Sequence, residues 1–258
     1  MLGLGSNIIK SPSSGATIIT DNLVLRHQYA VNPVQPLSDG AAYFVSSGSD
    51  YIDCGSASNL DVGTGDFSVS AWFKVSTKGG SNYHDIVTKG NTLGDGVGWG
   101  INVLESNKTI YFDTDGDARR ETVTSPTSSW DFNKWYHLVG TRSNSTDTLK
   151  LYIDGVLVGT NTSATNDDLG DASINFEIGS GLNNRYANGY ICNVGYWNAV
   201  LDQAQIKSIM WKKYSDLTSS ETADLVSWWN LDEETATDGT AGTGGVKDHK
   251  GSNHGTLS

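Results

Sequence analysis

The sequence predicts an all-β protein, an antiparallel two-sheet sandwich with one short helix. Its 258 residues include 30 Gly but only 4 Pro, together with 8 Trp and 11 Tyr, and only 18% of the residues are charged. Many short strands joined by tight turns have this composition, because aromatic residues favour strands and Gly favours turns. Regular alternation of apolar and polar residues between 41 and 197 supports the same fold class.

Three stretches show the strand pattern most clearly. Residues 66–75 (DFSVSAWFKV) place every second, apolar side chain on one face, as a half-buried strand requires. Residues 134–142 repeat this alternation. In 148–160, Asp154 and Gly155 lie between two apolar runs, and this dipeptide favours a type I′ hairpin turn because both central residues need a positive φ.

One helix is predicted near residue 202. Asp202 can cap its start, and Ile206 and Ile209 lie on one side of it. We expect this helix to pack across an open edge of the sandwich. Residues 225–231 (LVSWWNL) predict a further strand, and a last short strand is expected near 255–257.

Residues 1–38 differ from the rest of the chain. They are rich in Gly, Ser and Asn, contain three of the four prolines, and include one candidate strand at 21–27. A segment with so few apolar residues cannot form a core of its own. We therefore predict an N-terminal arm, 1–38, that gains order on another protein, and a β-sandwich over 39–258.

Five stretches, in this order along the chain, resemble the laminin-G-like jelly-roll family of the concanavalin A-like lectin/glucanase superfamily. They are 50–55 (DYIDCG), 65–72 (GDFSVSAW), 135–139 (WYHLV), 151–155 (LYIDG) and 189–198 (GYICNVGYWN). The resemblance covers residues 41 to 210 and implies a jelly-roll sandwich. It says little about the ligand, since one fold serves many functions.

The end of the chain resembles the segment that normally opens such a domain. It comprises 225–233 followed by 248–257. Three alternatives follow: a circularly permuted domain that closes in cis, the stub of a second repeat, or strands donated to a neighbouring subunit. We expect the first, because the ends of sandwiches often lie close together and a stub would leave Trp228 and Trp229 without a core.

The beginning of the chain, 21–27 running into 39–44, also resembles the arms of jelly-roll proteins of marine tailed phages. This resemblance implies a virion surface protein, in a tail fibre, a head fibre or a capsid decoration. Such a protein would form homo-oligomers and bind other virion proteins through its arm. The start of the chain lacks the pattern of a signal peptide, so we expect synthesis in the host cytoplasm.

Several classes of function are not expected. The net charge is −12 and the basic residues are scattered, which disfavours nucleic acid as a partner. No stretch approaches the ~18 apolar residues of a membrane span, so we expect no membrane insertion. The paired-carboxylate pattern E-x-D-x-(x)-E of hydrolases of this fold is absent, and the five His lack catalytic motifs. We therefore predict a binding protein and not an enzyme.

Calcium is the one cofactor that the sequence suggests. Residues 111–117 (YFDTDGD) place Asp113, Asp115 and Asp117 at alternate positions beside a Gly, which suits a cation that prefers oxygen ligands. The alternative is an acidic turn at the end of a strand. In the pentraxin-like comparison the loop before the last strand supplies acidic ligands, but 179–188 contains no carboxylate here.

The same loop offers groups that could contact a cell-surface glycan. Amides and a guanidinium can hydrogen-bond to sugar hydroxyls, and an aromatic ring can stack on a sugar. The candidates are Asn183, Asn184, Arg185 and Tyr186 in the loop, with Tyr83, His84 and Trp99 elsewhere. The alternative is that the loop is simply polar and that the aromatic residues pack in the core. We expect Trp135 to be such a packing residue.

Cys54 and Cys192 are too few for a disulfide framework and lack metal-binding spacing. They are either two buried thiols or one bridge between the first and last strands of one sheet. The sequence leaves both alternatives open.

Overall fold

The computed structural model describes residues 35–76, 82–90, 96–116, 119–163, 167–181, 185–232 and 245–258. All of them fall within the unit that runs from Pro33 to Ser258. The predicted arm, 1–38, lies outside the described residues except for 35–38.

The described residues form fifteen β-strands and one α-helix. The strands are β1 (Ala42–Phe44), β2 (Ile52–Asp53), β3 (Phe67–Val75), β4 (Tyr83–Gly90), β5 (Gly98–Leu104), β6 (Thr109–Asp115), β7 (Arg120–Thr124), β8 (Tyr136–Ser143), β9 (Thr148–Ile153), β10 (Val156–Asn161), β11 (Phe176–Ile178), β12 (Gly189–Trp197), β13 (Leu225–Trp229), β14 (Gly245–Val246) and β15 (Gly255–Leu257), and the helix is α1 (Gln203–Ile209).

The strands form two antiparallel sheets, which confirms the predicted two-sheet jelly-roll sandwich. The first sheet has seven strands in the order β1-β12-β3-β8-β9-β10, with β13 also paired to β12. The second has eight strands in the order β14-β15-β2-β11-β4-β5-β6-β7. Strands adjacent in a sheet often come from distant parts of the chain, so residues far apart in sequence meet on one face.

One apolar core lies between the two sheets. The inward side of β3 supplies Phe67, Val69, Ala71, Phe73 and Val75, all buried, as the alternation predicts. The eight-stranded sheet contributes β-branched and aromatic residues from β4, β5, β6 and β11. Burying such side chains stabilises each sheet against the other by ~1.5–3 kcal/mol per large residue.

The β9–β10 hairpin turns where the sequence predicts it. Asp154 has φ 49° and Gly155 has φ 74°, so both central residues adopt the left-handed region that a type I′ turn needs. The Asp154 carboxylate also accepts a hydrogen bond from the backbone N–H of His137 at 2.8 Å. The turn is thereby tied to β8.

The predicted helix is confirmed, but its position differs from the expectation. Asp202 caps α1 with a reciprocal capping box. Ile206 and Ile209 pack with Val139 and Trp197 on the outer face of the seven-stranded sheet, and not across an open edge. The reason is that this face carries apolar side chains, and the helix shields them from solvent. Among the described residues, no helix is both long and apolar enough to cross a membrane.

The last strands close the sandwich within the same chain. β13 pairs with β12 in one sheet, while β15 pairs with β2 in the other. Tyr51 and Ser258 exchange two backbone hydrogen bonds of 3.1 and 2.9 Å. The Trp229 indole donates to the backbone oxygen of Asn253 at 2.8 Å. The segment that begins at residue 225 therefore takes the cis path, and both Trp228 and Trp229 are buried.

Cys54 and Cys192 are free and buried. Cys54 follows β2 of the eight-stranded sheet, whereas Cys192 lies in β12 of the seven-stranded sheet. The alternative of a bridge within one sheet is therefore wrong. Burial raises the pKa of both thiols, which keeps them protonated and unreactive.

Candidate functional site

The outer face of the eight-stranded sheet is polar at its centre. Thr88, Gly100 and Asp113 lie opposite one another on β4, β5 and β6. Their strand neighbours Ile101 and Phe112 point into the core. Because side chains alternate along a strand, the first three residues face away from the core.

Further acidic residues extend this surface across the sheet. Asp85 and Asn102 form the adjacent cross-strand pair on β4 and β5. Glu177 of β11 lies opposite Thr88, and Asp53 of β2 lies opposite Glu177. We call the surface defined by Asp53, Asp85, Asp113 and Glu177 the acidic face.

The Asp113 carboxylate is fully buried and already hydrogen-bonded on both oxygens. Asn102 donates to Oδ2 at 3.1 Å, and Thr122 donates to Oδ1 at 2.6 Å. Arg120 makes an ion pair with Oδ1 at 2.9 Å. Charge-assisted hydrogen bonds of this kind fix a carboxylate in place, so Asp113 acts as a rigid part of the sheet surface.

The three predicted calcium ligands can be placed only in part, so the calcium site stays a prediction. Asp113 and Asp115 belong to β6 and are buried, so their alternation reflects a strand and not a cation-binding loop. Among the described residues, no group of three or more His, Cys, Asp or Glu side chains is placed to hold a metal ion. Asp117, the third predicted ligand, lies outside the described residues.

Asp85 differs from Asp113 in its surroundings. Its side chain is buried, and Oδ1 has no hydrogen-bond partner in the described part of the chain. Burial raises the pKa of Asp85 to about 7; Arg185 opposes this rise, whereas the carboxylates of Asp113 and Glu177 add to it. Asp85 therefore holds an unpaired acceptor that is buried beneath the surface of the sheet.

The segment before β12 lies directly on this surface. Thr88 donates to the backbone oxygen of Ser180 at 2.7 Å, and the backbone N–H of Asp85 donates to the Arg185 oxygen at 2.8 Å. A Cβ atom on Gly181 would lie 2.4 Å from Asp85 Oδ2. Only Gly allows this close approach of backbone to carboxylate.

Aromatic rings border the acidic face. The Arg185 guanidinium lies 4.0 Å from the centre of the Tyr83 ring, and the Tyr83 and Tyr111 rings are 6.5 Å apart. Tyr186 lies 6.3 Å from Tyr51. The structure thus brings two predicted residues, Tyr83 and Arg185, together beside Asp85. The predicted Asn183 and Asn184 lie outside the described residues.

Trp99 is not a surface residue, which corrects its prediction as a glycan contact. Its side chain has no exposed area and packs in the core with Phe67, Phe176 and Tyr196, at ring distances of 5.1 to 5.7 Å. His84 is also fully buried and pairs with Glu105 at 2.8 Å. Neither side chain can reach a ligand.

Sequence reasoning missed Asp85, Asn102 and Arg120. Each is one polar residue in an ordinary strand pattern, and no local motif marks any of them. A register shift between Asp85 and Val87 further obscures the alternation of β4. Only the strand order of the sheet shows that these residues meet.

A second aromatic surface lies on the outer side of the seven-stranded sheet. Lys74 Nζ is 4.3 Å from the Tyr190 ring centre and 5.0 Å from that of Trp135. Tyr43 lies 4.7 Å from Tyr190, and Lys74, Trp135 and Tyr190 border a cavity of ≈ 390 Å³. Trp135, expected to be a packing residue, is only partly buried and lines this cavity.

A protein-family model described as the concanavalin A-like lectin/glucanases superfamily, Laminin_G_3, matches residues 46–207, more than half of the chain. The chain belongs to this family. The match confirms the laminin-G-like resemblance that the five sequence stretches carry. It includes the strands of the acidic face, whereas the closing strands β13, β14 and β15 of this laminin-G-like chain lie beyond it.

Solved structures share the fold at low sequence identity. A candidate carbohydrate-binding protein from Bacteroides ovatus has a TM-score of 0.59 and 20% identity, over 84% of this chain and 57% of that chain. A SAP-like pentraxin from Limulus polyphemus has a TM-score of 0.45 and 14% identity, over 62% of this chain and 81% of that chain. The CBM40 of the Ruminococcus gnavus IT-sialidase has a TM-score of 0.48 and 12% identity, over 58% of this chain and 84% of that chain. The laminin-G-like chain thus spans less than two thirds of the Bacteroides protein. No curated protein matches it in sequence.

Proposed function

We propose that this laminin-G-like protein binds carbohydrate at the acidic face and does not cleave it. The observation that carries the proposal is the aromatic border of this face, where the Arg185 guanidinium lies 4.0 Å from the centre of the Tyr83 ring and the Tyr111 ring lies 6.5 Å from that of Tyr83. A sugar supplies C–H groups that stack on a ring and hydroxyl groups that hydrogen-bond to a guanidinium. The Bacteroides protein of the same fold, a candidate carbohydrate-binding protein, agrees with this proposal.

The surroundings of the carboxylates support binding without catalysis. Glycoside hydrolases need two carboxylates that can reach the scissile bond. Asp113 is enclosed and its oxygens are occupied by Asn102, Thr122 and Arg120. Asp85 therefore lacks Asp113 as a reactive partner.

The wider role that we propose is a virion surface protein of a tailed phage, in a tail fibre, head fibre or capsid decoration. In this role the arm, 1–38, binds other virion proteins and the sandwich contributes to host attachment. Support comes from the resemblance of 21–27 and 39–44 to phage arms. The alternative is a free carbohydrate-binding adhesin, for which glycan binding alone would be sufficient.

A glycan array with the full-length protein tests carbohydrate binding, with and without millimolar calcium. We expect bound glycans, and at least tenfold weaker binding by Tyr83→Ala and Arg185→Ala. Tyr43→Ala is the matched control, because Tyr43 is 52% exposed on the opposite sheet. Loss of binding in Tyr43→Ala but not in Tyr83→Ala would move the site to the second aromatic surface. Release of sugar products would contradict the non-catalytic proposal.

Particle incorporation tests the virion role. The full-length chain and a chain without residues 1–38 are each produced during infection, and purified particles are probed for the protein. We expect only the full-length chain in the particles. Equal incorporation of both, or none of either, would contradict the proposal, and glycan binding with no incorporation would favour the free adhesin.

A further inference from the structure

The second aromatic surface is built by the register of neighbouring strands. Lys74 on β3 lies opposite Tyr190 on β12. Lys74 faces outward, because its strand neighbours Phe73 and Val75 are in the core. Trp135 directly precedes β8, which pairs with β3. The Lys74 ammonium is therefore held between two rings on one face, 4.3 and 5.0 Å from their centres.

A ligand can reach these groups from solvent. Lys74, Trp135 and Tyr190 are each partly exposed. The cavity of ≈ 390 Å³ that they border falls within the size range of small-molecule sites. Gln35 and Ser38 border the same cavity and add an amide and a hydroxyl to it.

The Lys74 ammonium forms no ion pair within the described residues. Their lysine ion pairs involve Lys89, Lys108, Lys134, Lys212 and Lys213. Asp39 also borders the cavity, but its carboxylate pairs with Lys213 at 2.6 Å. In a chain with a net charge of −12, Lys74 thus keeps its charge for an anionic group of a ligand.

The two rings make this cation a better partner for an anion. They fix its position and displace water from it, so an ion pair formed here is stronger than one in open solvent. A lysine ammonium is a compact point charge, and it therefore accepts carboxylate and sulfate alike. The Trp135 ring offers a contact for the C–H groups of a sugar, and the Gln35 amide can hydrogen-bond to its hydroxyls.

We propose that the second aromatic surface binds sugars that carry an anionic group, a carboxylate or a sulfate. Lys74 Nζ pairs with the anionic group, and the Trp135 ring contacts the sugar. This site is separate from the acidic face, which lies on the other sheet, so the inference goes beyond the proposed function.

Matched pairs of sugars test the inference. Trigalacturonic acid is compared with its methyl ester, and sulfated lactose with lactose, by isothermal titration calorimetry on the full-length protein. We expect the anionic member of at least one pair to bind at least tenfold more tightly than its neutral partner. The pair that shows this preference distinguishes a carboxylate ligand from a sulfate ligand.

Variants at the cavity assign the preference to Lys74. Lys74→Met keeps most of the side-chain stem but loses the charge, so it should weaken anionic binding at least tenfold and abolish the preference. Lys74→Arg keeps the charge and should retain the preference, whereas Trp135→Ala should weaken anionic binding. Lys134→Met is the matched control: it removes an exposed charge that pairs with Asp131 at 2.9 Å and should change neither affinity.

The outcomes separate this inference from the proposed function. Equal binding of anionic and neutral members, no binding of either anionic sugar, or unchanged affinity in a folded Lys74→Met variant would overturn the inference. Anionic binding that is lost in Arg185→Ala but kept in Lys74→Met would also overturn it, because the ligand would then lie on the acidic face. The proposed function is decided by Tyr83→Ala and Arg185→Ala on neutral glycans, so either proposal can fail alone.

Discussion

Asp85 faces outward from the eight-stranded sheet, yet only 4% of its surface is exposed. The covering segment, with Gly181 and Arg185, excludes water from the carboxylate without supplying a hydrogen bond to Oδ1. A group in this position lowers stability when it ionises, because the charge is buried without a hydrogen bond to one of its oxygens. This side chain should therefore contribute to the pH dependence of stability.

Asp85→Asn should increase stability at alkaline pH. The folded-state pKa of Asp85 is about 7, against an ordinary value of 3.8. Because the folded pKa is raised, its contribution to stability is complete below the ordinary pKa and is lost as pH rises through about 7. At ~1.4 kcal/mol per pKa unit, the upper limit of this loss is about 4 kcal/mol. Thermal melts at pH 5 and pH 8 measure the part of this loss that falls between these pH values, at most about 3 kcal/mol.

The expected result is a melting temperature that falls less between pH 5 and pH 8 in Asp85→Asn than in the wild type, by several degrees. Asp216→Asn serves as the control, because Asp216 is exposed and should not change the difference. Parallel pH profiles of the wild type and Asp85→Asn would show that Asp85 does not titrate near neutral pH.

Trp99 shows where residue-level prediction from the sequence fails. Gly98 and Gly100 flank it in the sequence. In the structure the two glycines belong to the outer side of β5, and Trp99 points inward against Phe67. The alternation of Trp99, Ile101 and Val103 along β5 is the local signal that could have predicted the burial of this ring.

At the scale of the element, α1 depends on its first turn. Asp202 accepts a hydrogen bond from the backbone N–H of Gln205 at 2.8 Å, and the Gln205 side chain accepts one from the backbone of Asp202. Asp202→Ala should destabilise the protein by about 1 kcal/mol, measured by urea unfolding. Asp202→Ser should retain most of the stability because Ser can also cap. Equal losses in both variants would indicate a role other than capping.

Asp248 holds the closing strands together. Its buried carboxylate accepts hydrogen bonds from the backbone N–H groups of Trp228, Lys250 and Asn253, at 3.0 to 3.1 Å. Asp248→Ala leaves three donors unpaired, two of them in buried residues, and should cost about 2–4 kcal/mol in urea unfolding. Asp248→Asn keeps one acceptor oxygen and should lose less. A loss below 0.5 kcal/mol for Asp248→Ala would contradict this account.

The elements that the sequence predicts well are those with local signals. The alternation in 66–75, the Asp154–Gly155 turn and the Asp202 cap each involve neighbours in sequence, and the structure confirms all three. The acidic face could not be predicted in this way. Its residues come from β2, β4, β6 and β11, which become adjacent only when the whole sheet has formed.

At the scale of the whole molecule, the two sheets share one core and the chain crosses between them repeatedly. Trp99 of the eight-stranded sheet packs on Phe67 and Tyr196 of the seven-stranded sheet. The closing segment also contributes to both sheets, through β13 and β15. Neither sheet can therefore keep its buried face without the other, and the Pro33–Ser258 unit should unfold as one cooperative unit.

Trp99→Ala tests this cooperativity. The variant loses a fully buried ring between the sheets, so we expect a loss of about 3–5 kcal/mol in the free energy of unfolding. Because the core is common to both sheets, tryptophan fluorescence and backbone circular dichroism should still report a single coincident transition in urea. Trp211→Ala, which removes a ring that is 48% exposed, is the matched control and should cost far less. Two separated transitions in Trp99→Ala would show instead that one sheet can persist without the other.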